Sequence, residues 1–208
     1  MKRKDIQWIL ASGSPRRKEL LKQIGLTFEV FVSDAGEEVT GELTPGELVE
    51  ELSCRKAEAV AARLAALTPK GALPSGMEST HIQHGIIGAD TIVYHGKEVL
   101  GKPKDEEDAF RMLGSLSGGT HSVFTGVTIL LAKEKIVFHN ETKVTFAKLS
   151  DEEIREYISS EEPMDKAGAY GIQGLGGAFV TAIEGEYANV VGFPIGAFCE
   201  ELRKRGLY

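Results

Sequence analysis

The chain has little that could be stapled covalently. Among 208 residues only Cys54 and Cys199 carry thiols, too few and too distant for a disulfide framework or a zinc site, so two buried thiols are expected. Long apolar runs are also missing. The run behind Met1-Lys2-Arg3-Lys4 is too short for a signal-peptide core and no segment approaches membrane-spanning length, which makes the cytoplasm the expected location and a membrane partner unexpected. Positive charge is in the minority, with 24 Lys and Arg against 31 Asp and Glu and a formal net charge of -7. That balance argues against non-specific binding to nucleic acid. No internal repeat and no linker separates two independent cores, so one domain over residues 1–208, with two lobes, is expected. An acidic chain that handles a polyanion must gather its cations locally, which directs attention to basic residues beside small-residue turns.

What is present alternates between strand and helix patterns. Ile6 to Leu10 and Phe28 to Val32 read as strands. Leu20, Leu21 and Ile24 recur at helical spacing, and Gly25 stops that helix. Thr44-Pro45-Gly46-Glu47 opens a helix to about Leu67, and residues 68–84 read as an exposed loop. Ile86 to Tyr94 and Lys97 to Leu100 form a hairpin, Asp105 to Leu116 a helix, and Val123 to Leu131 with Ile136 to Phe146 a longer hairpin. Ser150 to Glu153 is a capping box. A glycine-rich stretch from Lys166 to Gly177 leads to strands at Phe179 to Ile183 and Tyr187 to Val191, and Pro194 opens a last helix. Crossover helices mixed with hairpins predict an α/β fold with a mixed central sheet and flanking helices around a cleft.

The stretch Ala11-Ser12-Gly13-Ser14-Pro15-Arg16-Arg17-Lys18 joins a buried strand to a helix start. A helix N-terminus offers unpaired N–H groups and a positive dipole end, which together hold phosphate. Ser12 and Ser14 add hydroxyls, Pro15 presets the first helical φ, and Arg16 and Arg17 add planar charged forks. Two cations in a first turn are out of place unless an anion lies nearby. The bland alternative is an ordinary cap with solvated basic residues.

Asp90, in Gly88-Ala89-Asp90-Thr91-Ile92-Val93, interrupts an otherwise apolar strand. A carboxylate there is costly unless paired, metal-bound or at the edge of a cleft, where it could accept a proton from water or hold a divalent cation. Capping a bulge is the structural alternative. Lys56 lies on the apolar stripe of Val49, Leu52 and Val60, either snorkelling to the rim or reaching a cleft; Lys102, ending the first hairpin, could reach the same cleft or be a surface residue. Glu37-Glu38 is a solvated acidic loop or the source of a second carboxylate for a Mg²⁺–phosphate site. Gly96 to Lys102 imitates the front of a P-loop, but Pro103 replaces the Ser or Thr and the glycines bracket a strand. His81 and His84 sit in a polar loop, a weak setting for a metal.

Taken together these segments resemble the Maf-like nucleotide pyrophosphatases, whose fold is related to the inosine triphosphate pyrophosphatases. The resemblance runs through Ala11 to Arg17, Glu37, Lys56-Ala57, Gly88 to Val93, Gly101-Lys102-Pro103, Asp165 to Gly174 and Gly185 to Pro194. It implies hydrolysis of a nucleoside triphosphate at the α–β linkage, with dTTP and UTP as the substrates of the branch matched and modified pyrimidine nucleotides as a further class. It also implies a divalent cation, Mg²⁺ or Mn²⁺, bridging phosphate oxygens and the carboxylates of Glu37 or Asp90. Asp90 would be the proton acceptor, and Glu37, Lys56 and Lys102 further active-site groups. Arg16, Thr91 and Gln173 would set specificity, although Gln173 read without the resemblance is better explained as an exposed loop residue. The resemblance is compatible with a homodimer. A nucleotide-binding regulator of cell division with vestigial catalysis is the alternative, and the intact Asp90, Glu37, Lys56 and Lys102 favour the enzyme.

Overall fold

The computed structural model describes residues 6–36, 38–39, 41–67 and 83–208. Glu37, His81 and most of the expected loop at 68–84 fall outside them. In chain order the elements are β1 (Ile6–Leu10), α1 (Pro15–Gln23), β2 (Phe28–Val30), α2 (Pro45–Leu67), β3 (Gln83–His95), β4 (Glu98–Leu100) and α3 (Glu106–Leu116). There follow β5 (Thr120–Leu131), β6 (Glu134–Phe146), α4 (Asp151–Ser159), β7 (Val180–Glu184), α5 (Tyr187–Val191) and α6 (Ile195–Lys204). Short 3-10 turns at Glu162–Asp165, Ala167–Ala169 and Leu175–Phe179 link α4 to β7.

Local signals place the helix starts. Ser14 caps α1 with Pro15 behind it. Thr44 and Glu47 bond reciprocally at the head of α2, as Ser150 and Glu153 do at α4. Gly25, at φ 72°, ends the first helix. The strands form a mixed seven-stranded sheet in the order β2-β1-β3-β5-β6-β7, with β4 pairing β3 off that path. Pairings of β1 with β2 and with β3 are parallel, which requires the crossovers through α1 and α2; the others are antiparallel. The expected α/β architecture with a mixed sheet is therefore present, and no helix among the described residues is long and apolar enough to cross a membrane.

Most strand boundaries shift by one to three residues from the sequence reading, and the differences that matter for the site are in β2, β3 and the segment after Gly185. The second strand stops at Val30 rather than Val32, and β3 begins at Gln83, so His84 belongs to the sheet and not to a loop. One difference is of type: Tyr187 to Val191 is a short helix, not a strand. A short apolar run cannot be assigned by periodicity, and tertiary contacts decide it here. Gly185 and Gly192, at φ 125° and 124°, turn the chain on either side. Fully buried Asn189 donates its amide to the Val123 carbonyl at 2.9 Å and the Thr142 hydroxyl at 3.1 Å, while Ala188 and Val191 face the core three residues apart.

Alternation along β3 assigns the two faces of the sheet. Ile86, Gly88 and Asp90 point to α2, whereas Ile87, Ala89, Thr91 and Val93 point to the opposite face. The α2 side is tightly packed: a Cβ on Gly88 would meet the Ser53 carbonyl, and one on Gly126 the Val49 carbonyl. On the opposite face two apolar clusters sit toward different ends. One gathers α1, α5 and α6 around Leu10, Ile87, Val127, Phe193 and Phe198; the other gathers α3 and α4 around Leu113, Val123, Phe146 and Tyr170. Both cysteines are buried, as expected.

The second cluster contains a histidine. His121 is 2% exposed, its Nε2 is 2.9 Å from the Tyr170 hydroxyl, and its Nδ1 has no hydrogen-bond partner among the described residues. Burial, with a smaller contribution from the charge of His95, pushes its pKa down to about 4 from an ordinary 6.5. Between those values the unfolded chain binds more protons than the folded one. The stability contributed by neutral His121 is complete above about pH 6.5 and is lost as pH falls toward 4, by about 3 kcal/mol. Urea midpoints measured from pH 7 to 5 should fall for the parent chain and fall less for His121→Gln; parallel curves would show that His121 is not the titrating group.

Candidate active site

The pairing of β3 leaves an opening. β1 follows its edge to Ile87, where the Ala11 N–H donates to the Ile87 carbonyl at 2.8 Å, and β4 takes up the same edge from Val93. From Gly88 to Ile92 that edge has no neighbouring strand among the described residues. Asp90 lies at its middle. The turn after β1, with Ser12 to Arg17, leaves at one lip, and Gly101-Lys102-Pro103, just after β4, stands at the other.

Asp90 is 8% exposed and accepts a hydrogen bond at Oδ1 from the Lys56 ammonium at 2.5 Å. Lys56 is thus the ion-pair partner that the buried carboxylate requires, and it does not simply snorkel to the rim. No backbone N–H caps Asp90 among the described residues, and none donates to Oδ2. The pair exists because α2 lies directly on Gly88 and Gly126, which brings a lysine on the buried face of a helix within reach of the strand beneath.

On the other face, next in the strand, Thr91 meets Arg17. The guanidinium donates from Nη2 to the Thr91 hydroxyl at 3.0 Å, from Nη1 to Ser12 Oγ at 3.1 Å and from Nε to the Gly192 carbonyl at 2.9 Å. Thr91 Oγ1 also lies 3.0 Å from Thr125 Oγ1, and Thr125 donates to the Asn189 carbonyl at 3.1 Å. Arg17 therefore ties α1, β3 and the α5 turn together. Its neighbour Arg16 faces Asp165 at 3.5 Å. Against the upward push of burial, the Lys166 hydrogen bond and the charges of Lys166 and Arg16 hold Asp165 below the usual carboxylate range.

The remaining expected residues are less engaged. Ser14 is used as the α1 cap, accepting from the Arg17 N–H, and Ser12 Oγ accepts from the Ser14 N–H at 3.3 Å. The exposed Lys102 makes no ion pair among the described residues, while Gly101 beside it accepts from the Gly168 N–H at 3.0 Å. Gln173 is exposed and lines an open groove of about 760 Å³ with Gln23, Asn140, Glu186 and Tyr187, on the same side of the sheet as Arg17. The sequence reading assigned nothing to Asp165, Thr125 or the Gly192 carbonyl. Asp165 and Gly192 stood inside quoted motifs, but no local pattern marks them as partners of Arg16 and Arg17.

A family model described as Maf-like protein matches residues 7–205. The chain belongs to the Maf-like family. A relative from Agathobacter rectalis is 47% identical over 97% of this chain and 98% of its own length, and is named dTTP/UTP pyrophosphatase. Relatives from Bacillus cereus, 46% identical over 94% of each chain, and Bacillus cytotoxicus, 44% identical over 95% of each, carry the same name.

The close approach of α2 is directly testable. Gly88→Ala forces a methyl group against the Ser53 carbonyl and the Ala57 side chain and should lower stability by about 3 kcal/mol. A denaturation midpoint equal to the parent's would show that α2 does not depend on this contact.

Proposed function

We propose that this chain hydrolyses dTTP and UTP to the nucleoside monophosphate and pyrophosphate. The observation that carries the reading is the Lys56–Asp90 pair set where one edge of β3 has no neighbouring strand among the described residues, between a capped helix start and the Lys102 turn. The names of the relatives supply the substrate class. In this reading the triphosphate lies along the Ser12–Arg17 turn. Lys56, freed from Asp90 by a second anionic partner, Lys102 at the opposite lip, and Arg16, released from Asp165, neutralise phosphate oxygens. Asp90 then takes the proton from the attacking water, which adds at the α–β linkage as pyrophosphate departs. Positioning and charge stabilisation supply most of the rate.

The donor set fits a hard divalent cation. Asp90 offers oxygen, its Oδ2 accepts from no described residue, and triphosphate oxygens complete the kind of shell Mg²⁺ or Mn²⁺ prefers. Asp90, with Glu37 by resemblance, would hold the ion; no cluster of three or more His, Cys, Asp or Glu suited to a metal forms among the described residues. When bound, the ion supplies positive charge against the phosphate oxygens.

The base is read, in this proposal, by Gln173. A side-chain amide offers one donor and one acceptor, which suits the O4 and N3–H edge shared by uracil and thymine and mismatches cytosine. Arg16 and Thr91 complete the specificity set. Cytoplasmic location and a homodimer remain part of the same proposal.

Product analysis across the nucleoside triphosphates tests the reaction. Monophosphate and pyrophosphate should appear from dTTP and UTP with Mg²⁺ or Mn²⁺, and EDTA should abolish turnover; orthophosphate with a diphosphate, or full activity in EDTA, would refute it. Asp90→Asn keeps the size of the side chain and removes the proton acceptor. It should fold and lose about 10²-fold or more in kcat. Activity within a few-fold of the parent would leave Asp90 as a structural partner of Lys56 alone.

A further inference from the structure

One carboxylate outside the β3 opening accepts two backbone N–H groups of a single loop and the hydroxyl that accepts from a third. Glu162, in the first 3-10 turn, accepts from the Leu175 N–H at Oε2, 2.9 Å, and from the Gly176 N–H at Oε1, 3.2 Å. Oε1 also accepts from the Tyr157 hydroxyl at 2.9 Å, and that hydroxyl accepts from the Gly171 N–H at 3.0 Å. These bonds grip the loop on both sides of Gln173. Against the upward push of burial, the backbone N–H groups of Leu175 and Gly176 and the Tyr157 hydroxyl hold Glu162 below the usual carboxylate range.

The glycines of the loop are fitted to the same grip. A Cβ on Gly174 would collide with the Glu162 carboxylate, one on Gly171 would lie 2.6 Å from Lys166 Cε, and one on Gly176 would lie 2.6 Å from the Tyr157 hydroxyl. Lys166 donates to the Glu162 carbonyl at 2.5 Å and to Asp165 at 2.6 Å, and Asp165 faces Arg16. A short chain of charges therefore joins the loop of Gln173 to the first turn of α1. An ordinary surface loop does not need a carboxylate that accepts two of its backbone N–H groups and a buried phenol besides.

We infer that Glu162, with Tyr157 as its relay to Gly171, is the positioning residue that holds Gln173 rigid enough to tell a uracil or thymine edge from a cytosine edge. The inference rests on the proposed reading of Gln173. Donor and acceptor discriminate between bases only when they are held in place. A loose amide can rotate and satisfy either pattern, so specificity depends on the rigidity of the loop.

Two variants and a cycle test it. Glu162→Gln places an amide against backbone N–H groups, and Tyr157→Phe removes both the acceptor for Gly171 and the hydroxyl donor to Glu162. In each variant that folds by circular dichroism, the ratio of kcat/KM for UTP over CTP should fall by about 5-fold, mainly through a higher KM for UTP. In a Gln173→Ala background, Glu162→Gln should change that ratio by less than about two-fold, because its effect runs through Gln173. Tyr157→Phe serves if Glu162→Gln does not fold. If Gln173→Ala by itself leaves the ratio unchanged, the base reading falls and this inference with it. If Gln173→Ala narrows the ratio while the folded Glu162 and Tyr157 variants keep it, or if the effects are additive, only the positioning role is overturned.

Discussion

The site depends on how closely one helix can lie on the sheet. Gly88 on β3 and Gly126 on β5 leave no side chain between these strands and α2, so the strand backbone at these two positions sits directly against the Ser53 and Val49 carbonyls of the helix. At an ordinary helix–sheet spacing a lysine on the inner face would be a buried cation without a partner, at considerable cost. At this spacing Lys56 reaches Asp90, and each charge becomes the other's solvation. The pair is best understood as a consequence of packing; alone it is no great source of stability, since desolvation offsets much of the attraction.

The opposite face is organised by polarity. Thr91, Thr125 and Thr142 lie on three neighbouring strands between the two apolar clusters, and Arg17 and Asn189 join them. The Asn189 amide N–H groups, the Thr125 hydroxyl and the Arg17 guanidinium all find acceptors in distant parts of the chain, which accounts for Asn189 and Thr125 being buried although polar; Asn189 Oδ1 accepts from no described residue. The belt fixes α1, β3 and the α5 turn relative to one another. Thus the turn after β1 is a stiff structure before any ligand arrives.

Local chemistry in the sequence was sufficient for most of the elements. The caps at Ser14, Thr44 and Ser150 are self-contained signals, and the helices begin where those residues stand. Asp90 and Lys56 were each visible as a charge in the wrong place, one in an apolar strand and one on an apolar stripe. Their partnership was not visible, because it depends on register and on two glycines in different strands. Arg17 shows the limit most clearly: its Nε acceptor is the carbonyl of Gly192, 175 residues away, and backbone atoms leave no mark on a side-chain pattern. Tyr187 to Val191 was misread for the same reason, since the amide of Asn189 and the turns at Gly185 and Gly192 decide its conformation. Glu162 stood in an unremarkable acidic stretch and gained its meaning only from the loop folded over it.

The alternation of β3 also constrains how this chain could change length. Asp90 and Thr91 serve opposite faces of the sheet, and β3 is held in register by β1 on one edge and β5 on the other. Inserting or deleting one residue between Gly88 and Asp90 would present Ala89 or Thr91 to Lys56 and strand the carboxylate in the apolar layer. The strand itself should therefore change by substitution and not by length.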